Sequence, residues 1–172
     1  MRIHASRCHS FTYRITTPGP CAVELEQSAA VRPFFDCLVL RVGIDRDDSA
    51  VAGTAAAVIK HLAAESDSGF IVLDGYARWA TTDRCAAGLD VLTGLADALD
   101  VLAELTERLE ERGELVHQMP FGWSTWRRAH VVDGAWAHRV VDVGAHTRNP
   151  ALPPTSWSLT PRTRRPCGVI SR

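Results

Sequence analysis

Gln118-Met119-Pro120-Phe121-Gly122-Trp123-Ser124-Thr125-Trp126-Arg127-Arg128-Ala129-His130, running on through Val131-Val132-Asp133-Gly134-Ala135-Trp136-Ala137-His138, decides how this chain is read. Pro120 and Gly122 break one extended run, and a second begins at Trp123. Asp133-Gly134 suits a two-residue hairpin, because both central residues of that turn need positive φ and Asp-Gly tolerates it. In that register Val131 faces Trp136, Ala129 faces His138 and Arg127 faces Val140. Alternation then puts Thr125, Arg127, Trp136 and His138 on one face, and Trp126, Arg128, His130 and Arg139 on the other. So many tryptophans and arginines exceed what core filling needs. An amphipathic hairpin with solvated arginines is the plain alternative.

Working back from this stretch, Glu114–Met119 reads as the strand that feeds it, and Gly113 as a helix stop. The helix before that stop carries Leu95, Leu99, Leu102 and Leu109 on one stripe, with Glu104 and Arg108 as an i,i+4 pair and a weak point at Thr93-Gly94. Phe34–Ile44 and Gly69–Asp74 are apolar runs of buried-strand type. Between them Asp47-Asp48-Ser49 offers N-caps to a helix with Val51, Ala55, Val58, Ile59 and Leu62 on one stripe, ended at Ser68-Gly69. Residues 34–74 therefore form a strand-helix-strand crossover into one sheet. Residues 1–6 and Phe11–Thr16 read as two further strands, Pro18-Gly19-Pro20 as a turn, and Ala22–Ala30 as a loop or short helix. The loop 75–82, with Arg78, Trp79, Thr81 and Thr82, leaves a strand end where such sheets place ligands; an ordinary capped connection is the plain alternative.

A chain of 172 residues is long enough for one domain with a real core. The body is 1–144, and 145–172 is a Pro/Arg-rich extension expected to be disordered or draped over the surface. From Thr147 onward there are arginines and no acidic residue, so the near-neutral total of −1 hides an acidic body. Such a body excludes non-specific nucleic-acid binding; contacts to RNA must come from local patches such as Arg127, Arg128 and Arg139, or from the tail. No apolar run reaches bilayer length and no signal peptide is visible, so no membrane partner and a cytoplasmic location are expected. Five scattered cysteines without C-x-x-C spacing argue for free thiols.

Met119-Pro120-Phe121-Gly122-Trp123, following a helix that ends Leu109-Glu110-Glu111-Arg112-Gly113, resembles the editing domain of archaeal threonyl-tRNA synthetases, where the run is Pro-Phe-Gly-aromatic-aromatic-Lys and the closing strand carries a Glu. Arg2-Ile3-His4-Ala5-Ser6 resembles that family's first strand. Phe70–Thr82 resembles its central strand and the loop after it. The likeness runs in the family's order from residue 1 to about 143.

The resemblance implies an α+β domain of the D-aminoacyl-tRNA deacylase-like fold: a twisted β-sheet, two main helices and a C-terminal β-hairpin. It implies a stand-alone enzyme, similar to the fluorothreonyl-tRNA deacylases, acting in trans on the 3′ end of mischarged threonine-type tRNA. The group removed is serine or a threonine analogue such as fluorothreonine. Carried across residue by residue, Thr125 stands at the family's Lys, His138 at its Glu and Arg78 at its His. These three are the expected catalytic positions. Substrate contacts are expected from His4, Ala77, Trp79, Gly122, Trp123, Trp126 and Arg127, with backbone amides near Ala77, Arg78 and Gly122 cradling the aminoacyl group and Trp123 or Trp126 stacking on the terminal adenine.

The family requires no cofactor. The lost Lys and Glu raise a zinc alternative with His4, Cys85 and His138 as ligands, activating water; His61 and His117 read as structural. Dimers are common for this fold, so a homodimer is the assembly to test. A non-catalytic module that binds charged tRNA ends and a zinc-dependent hydrolase of small esters or amides are the rival functions.

Overall fold

The computed structural model describes residues 1–25, 31–79 and 89–144. The expectations for Thr81, Thr82, Cys85 and the tail 145–172 lie outside those residues, as does most of the ambiguous stretch before Val31. Among the described residues the elements run in the order β1 (Arg2–Pro18), β2 (Arg32–Ile44), a 3₁₀ turn (Asp48–Val51), α1 (Ala52–Ser66), β3 (Phe70–Ala77), α2 (Leu89–Glu110), β4 (Val116–Gln118), β5 (Trp123–Val131) and β6 (Arg139–Asp142). The architecture is α+β. One mixed sheet of order β4-β3-β2-β1-β5, with β6 also on β1, carries both helices.

β2, α1 and β3 form the expected crossover, with β2 and β3 parallel and Leu38, Leu40, Val42 and Ile44 matched to Ile71, Leu73, Gly75 and Ala77. The stripe of α1 is buried as read, at Val51, Ala55, Val58, Ile59 and Leu62. Its N-terminus lacks a side-chain cap: Asp48 instead accepts the Asp45 amide at 2.7 Å. Its C-terminus is set by Asp67 in the left-handed region, one residue before the expected Ser68-Gly69 stop. α2 runs through Gly94 without interruption and lays Ala98, Val101, Leu102, Leu105 and Leu109 on the same core. Each leucine buried there contributes about 2 kcal/mol.

Two expectations about the strands also fail. The first is the break between residues 6 and 11: β1 is one continuous strand. At this point the alternation slips, so that Ile3 and Ala5 pack under the helices while Phe11 and Tyr13 join Cys8 and Cys37 on the opposite side. Here His9 and Asp36 both drop out of the β1–β2 ladder without a change of register, Asp36 takes φ 52°, and His9 is the extra residue of a bulge against β5, where the register shifts between Cys8 and Ser10. Arg7 holds it. Its guanidinium donates to Asp36 Oδ1 at 2.5 Å and to the Asp67 carbonyl at 2.9 Å, and its Nε donates to the Ser66 carbonyl at 2.9 Å. The last carbonyls of α1, which lack helical partners, thereby gain a cation.

The second is the C-terminal hairpin. β5 and β6 do not pair with each other; both run antiparallel to β1, β5 along Cys8–Pro18 and β6 along Arg2–Ala5. Gly134 has φ 97°, but Asp133 is not in the positive-φ region, so the two-residue turn never forms. Residues 132–138 instead make an excursion pinned at Arg7, whose carbonyl takes the Val132 amide at 2.9 Å and whose amide donates to the Trp136 carbonyl at 3.0 Å. The chain then rejoins β1 in the same direction, because the long first strand still offers an unpaired edge.

Candidate functional site

The sheet face turned away from the helices carries the polar groups. Asp74 alternates with the helix-facing Leu73, and its register neighbours across the sheet are Arg41 and then His4. Asp74 is 8% exposed. A carboxylate at that depth needs charged partners, and it has two. Arg127 reaches it from β5 with Nη1 at 2.5 Å and Nη2 at 3.1 Å, and Arg41 Nε stands at 3.7 Å. Since β1 and β2 lie between β5 and β3 in the sheet order, this contact requires the sheet to curl into a trough. Arg127 Nε donates to Thr125 Oγ1 at 2.6 Å, which fixes the Thr125 hydroxyl on the trough side. Arg41 also lies over the Tyr76 ring at 4.6 Å.

The other two expected catalytic positions reach the same face by different routes. Arg78 lies across Gly43, where a Cβ would meet its Cδ at 2.8 Å, and its Nη1 pairs with Asp45 at 2.6 Å. His138 sits in the excursion, with Nδ1 3.0 Å from Ser6 Oγ. Ser6 alternates with Ala5 and so shares the face with His4. Thr125 and His138 do not meet through a hairpin register. Thr125 is opposite Ile15 on β1 while His138 is held at Ser6, and each is oriented by its own partner. Sequence reasoning gave no role to Ser6 or Asp74, although both stand in the segments that carry the resemblance, Arg2–Ser6 and Phe70–Thr82.

Several expected substrate contacts have structural duties. The Arg78 amide is committed to the Ile44 carbonyl at 2.9 Å, and Ala77 is buried beside Ile44 in the ladder, so that amide does not cradle a ligand. Gly122, at φ 77°, accepts the Gly19 amide at 2.9 Å. Trp123 Nε1 donates to the Val23 carbonyl at 2.8 Å. Trp79 packs against Gly94 of α2, with Arg46 over its ring at 5.3 Å. Arg139 pairs with Glu65 at 2.7 Å and covers the Trp136 ring. Trp126 alone of the stacking candidates is open, at 49% exposure.

Trp126, Arg128 and His130 alternate with Arg127 and therefore occupy the opposite surface of β5, next to Arg14, Thr12 and Ser10 of β1. Arg14, Arg128 and His130 are exposed and carry no ion pair or side-chain hydrogen bond among the described residues. Arg14 replaces Arg127 and Arg139 as the cation beside Trp126.

His4 and His138 share a face, but among the described residues no three His, Cys, Asp or Glu side chains gather as a metal site, and Cys85 lies outside them. Among the described residues no helix is long and apolar enough to cross a membrane. No family model matches the chain, and no curated protein matches it.

Proposed function

We propose that the chain is a trans-acting aminoacyl-tRNA deacylase of the D-aminoacyl-tRNA deacylase-like fold, clearing serine or a threonine analogue such as fluorothreonine from threonine-type tRNA. The observation that carries this reading is the shared face: His138 with Ser6, Thr125 with Arg127 and Asp74, and Arg78 with Asp45 all open onto one side of the sheet. These are the positions that the ordered likeness to the threonyl-tRNA synthetase editing domain nominates for chemistry.

The ester linking amino acid to ribose needs a placed water, a charge partner for the oxyanion and a proton for the leaving oxygen. His138 supplies the first and last. When its Nδ1–H donates to Ser6 Oγ, Nε2 holds the free lone pair that takes a proton from water as the water oxygen attacks the ester carbon. That proton passes to the ribose oxygen as the ester C–O bond breaks, leaving free amino acid and uncharged tRNA. Arg41, with its side chain 59% exposed beside Asp74, is the cation available to the oxyanion. The outer strip of Trp126, Arg128, His130 and Arg14 supplies ring surface and positive charge for the RNA end.

Single-turnover deacylation of threonine tRNA charged with threonine, serine or fluorothreonine tests the reading, with and without a chelator. Release from serine or fluorothreonine substrate, sparing threonine and slowed at least about tenfold by His138→Ala, is the expected result. No acceleration on any substrate, or protection of the ester, would replace this reading with a tRNA-end binding module. Loss of activity with chelator would replace it with the zinc hydrolase.

A further inference from the structure

The curl that forms the trough also brings β1 against β4, at a cleft of about 350 Å³ lined by Tyr13, Ile15, Glu24, Leu25, Arg32 and His117. That volume is at the small end for ligand sites. None of the polar groups assigned to ester hydrolysis lines it. Its floor is rigid. Tyr13 is 1% exposed, stacks on Phe34 with ring planes 2° apart, and places its hydroxyl 2.7 Å from His117 Nε2. The His117 ring packs on the same Phe34 at 4.8 Å between centroids.

The lining carries both signs of charge. Glu24 and Arg32 are both exposed, and neither forms an ion pair among the described residues, with each other or with any third group. Burial, and then the Arg32 charge, lower the His117 pKa, while burial raises that of Tyr13. At neutral pH the floor is therefore an uncharged imidazole and a protonated phenol. Among the described residues, the formal charges lining the cleft are one cation, Arg32, and one anion, Glu24, carried by different segments of the chain. A phosphate would be repelled by Glu24, and a simple amine by Arg32. Ile15 and Leu25 add an apolar side.

We propose that this cleft binds a small zwitterion of the free α-amino-acid class, its carboxylate on Arg32, its ammonium group on Glu24 and its side chain against Ile15 and Leu25. Such binding goes beyond ester hydrolysis and does not depend on it.

The test is a chemical-shift titration of the full chain that follows the His117 ring. The probes are L-valine, L-threonine and L-leucine, with isovalerate and isobutylamine as the valine skeleton bearing one charge each. At least one amino acid should give a saturable shift with Kd on the order of millimolar or tighter, and both single-charge probes should bind about tenfold or more weakly. Arg32→Gln and Glu24→Gln, at exposed positions whose exchange leaves the core intact, should each weaken that amino acid about tenfold. No saturable response to any of the three amino acids overturns the proposal. So does isovalerate binding as tightly as L-valine, or amino-acid binding that both substitutions leave unchanged.

Discussion

The guanidinium of Arg127 grips both oxygens of the Asp74 carboxylate across the trough, joining β5 to β3 past two intervening strands. The pair holds the curl of the sheet and the orientation of Thr125 together. Removing one partner strands the other charge where water reaches it poorly. Arg127→Met should cost about 2–3 kcal/mol, below the full range for a buried pair because Arg41 still stands at 3.7 Å and Arg127 is itself partly exposed. The double variant Arg127→Met/Asp74→Val, which removes both charges, should regain much of that loss. Urea unfolding reads both. A single variant within about 0.5 kcal/mol of the parent would mean that the pair does not hold the trough.

Gly122 closes the seam between the end of β1 and the start of β5. Its φ of 77° is strained for any L side chain, and a Cβ there would lie 2.2 Å from the Cys21 carbonyl oxygen. Backbone atoms cannot swing aside as a side chain does. Gly122→Ala should therefore destabilise by more than about 3 kcal/mol, lowering the thermal midpoint well beyond what a surface substitution does. A midpoint within a degree or two of the parent would remove Gly122 from this seam.

The parts legible in the sequence are those in which one local pattern sufficed. The apolar run of β2, the stripe of α1 and the leucines of α2 each carry their own period, and each element lies where that period puts it. What stayed hidden depends on partners far along the chain. The polar Arg7-Cys8-His9-Ser10 reads as a break because the acceptors that satisfy Arg7 lie at Asp36, Ser66 and Asp67. Asp133-Gly134 reads as a hairpin because turn propensity is local, whereas the free edge of β1 that draws the chain onward is not. In the same way, Ser6 is tied to His138 across 132 residues and Asp74 to Arg127 across 53. The three positions nominated by likeness do share a face, but nothing local to Ser6 or Asp74 says which distant side chain each will orient.

His117 makes stability depend on pH in a defined direction. Its folded pKa lies below the ordinary 6.5, because burial, then the Arg32 charge, disfavour the imidazolium. Below 6.5 the unfolded chain takes up a proton that the folded chain resists, so stability is full above 6.5 and is lost as pH falls through the folded pKa. Thermal midpoints measured from pH 7.5 down to about 5 should therefore fall more steeply for the parent than for His117→Gln, which keeps an acceptor for Tyr13 but does not titrate. Parallel curves for the two proteins would exclude His117 as the source.

The strip on the outer surface of β5 makes the partner testable apart from catalysis. Arg14 and Arg128 flank Trp126, exposed and without ion pairs among the described residues, on a body whose charge otherwise repels RNA. Each arginine that neutralises a phosphate releases counterions, so Arg128→Gln and Arg14→Gln should each flatten the dependence of log affinity on log salt by roughly 0.7–1, measured with an RNA acceptor-stem hairpin ending in single-stranded CCA. Trp126→Ala acts differently. Losing a stacking surface should weaken binding by about 1–3 kcal/mol with the salt slope unchanged. Arg139→Gln is the control, because Arg139 is already bound to Glu65 and Trp136. If the Arg139 variant changed the slope and the Arg128 and Arg14 variants did not, RNA would approach from the excursion 132–138 and not along β5.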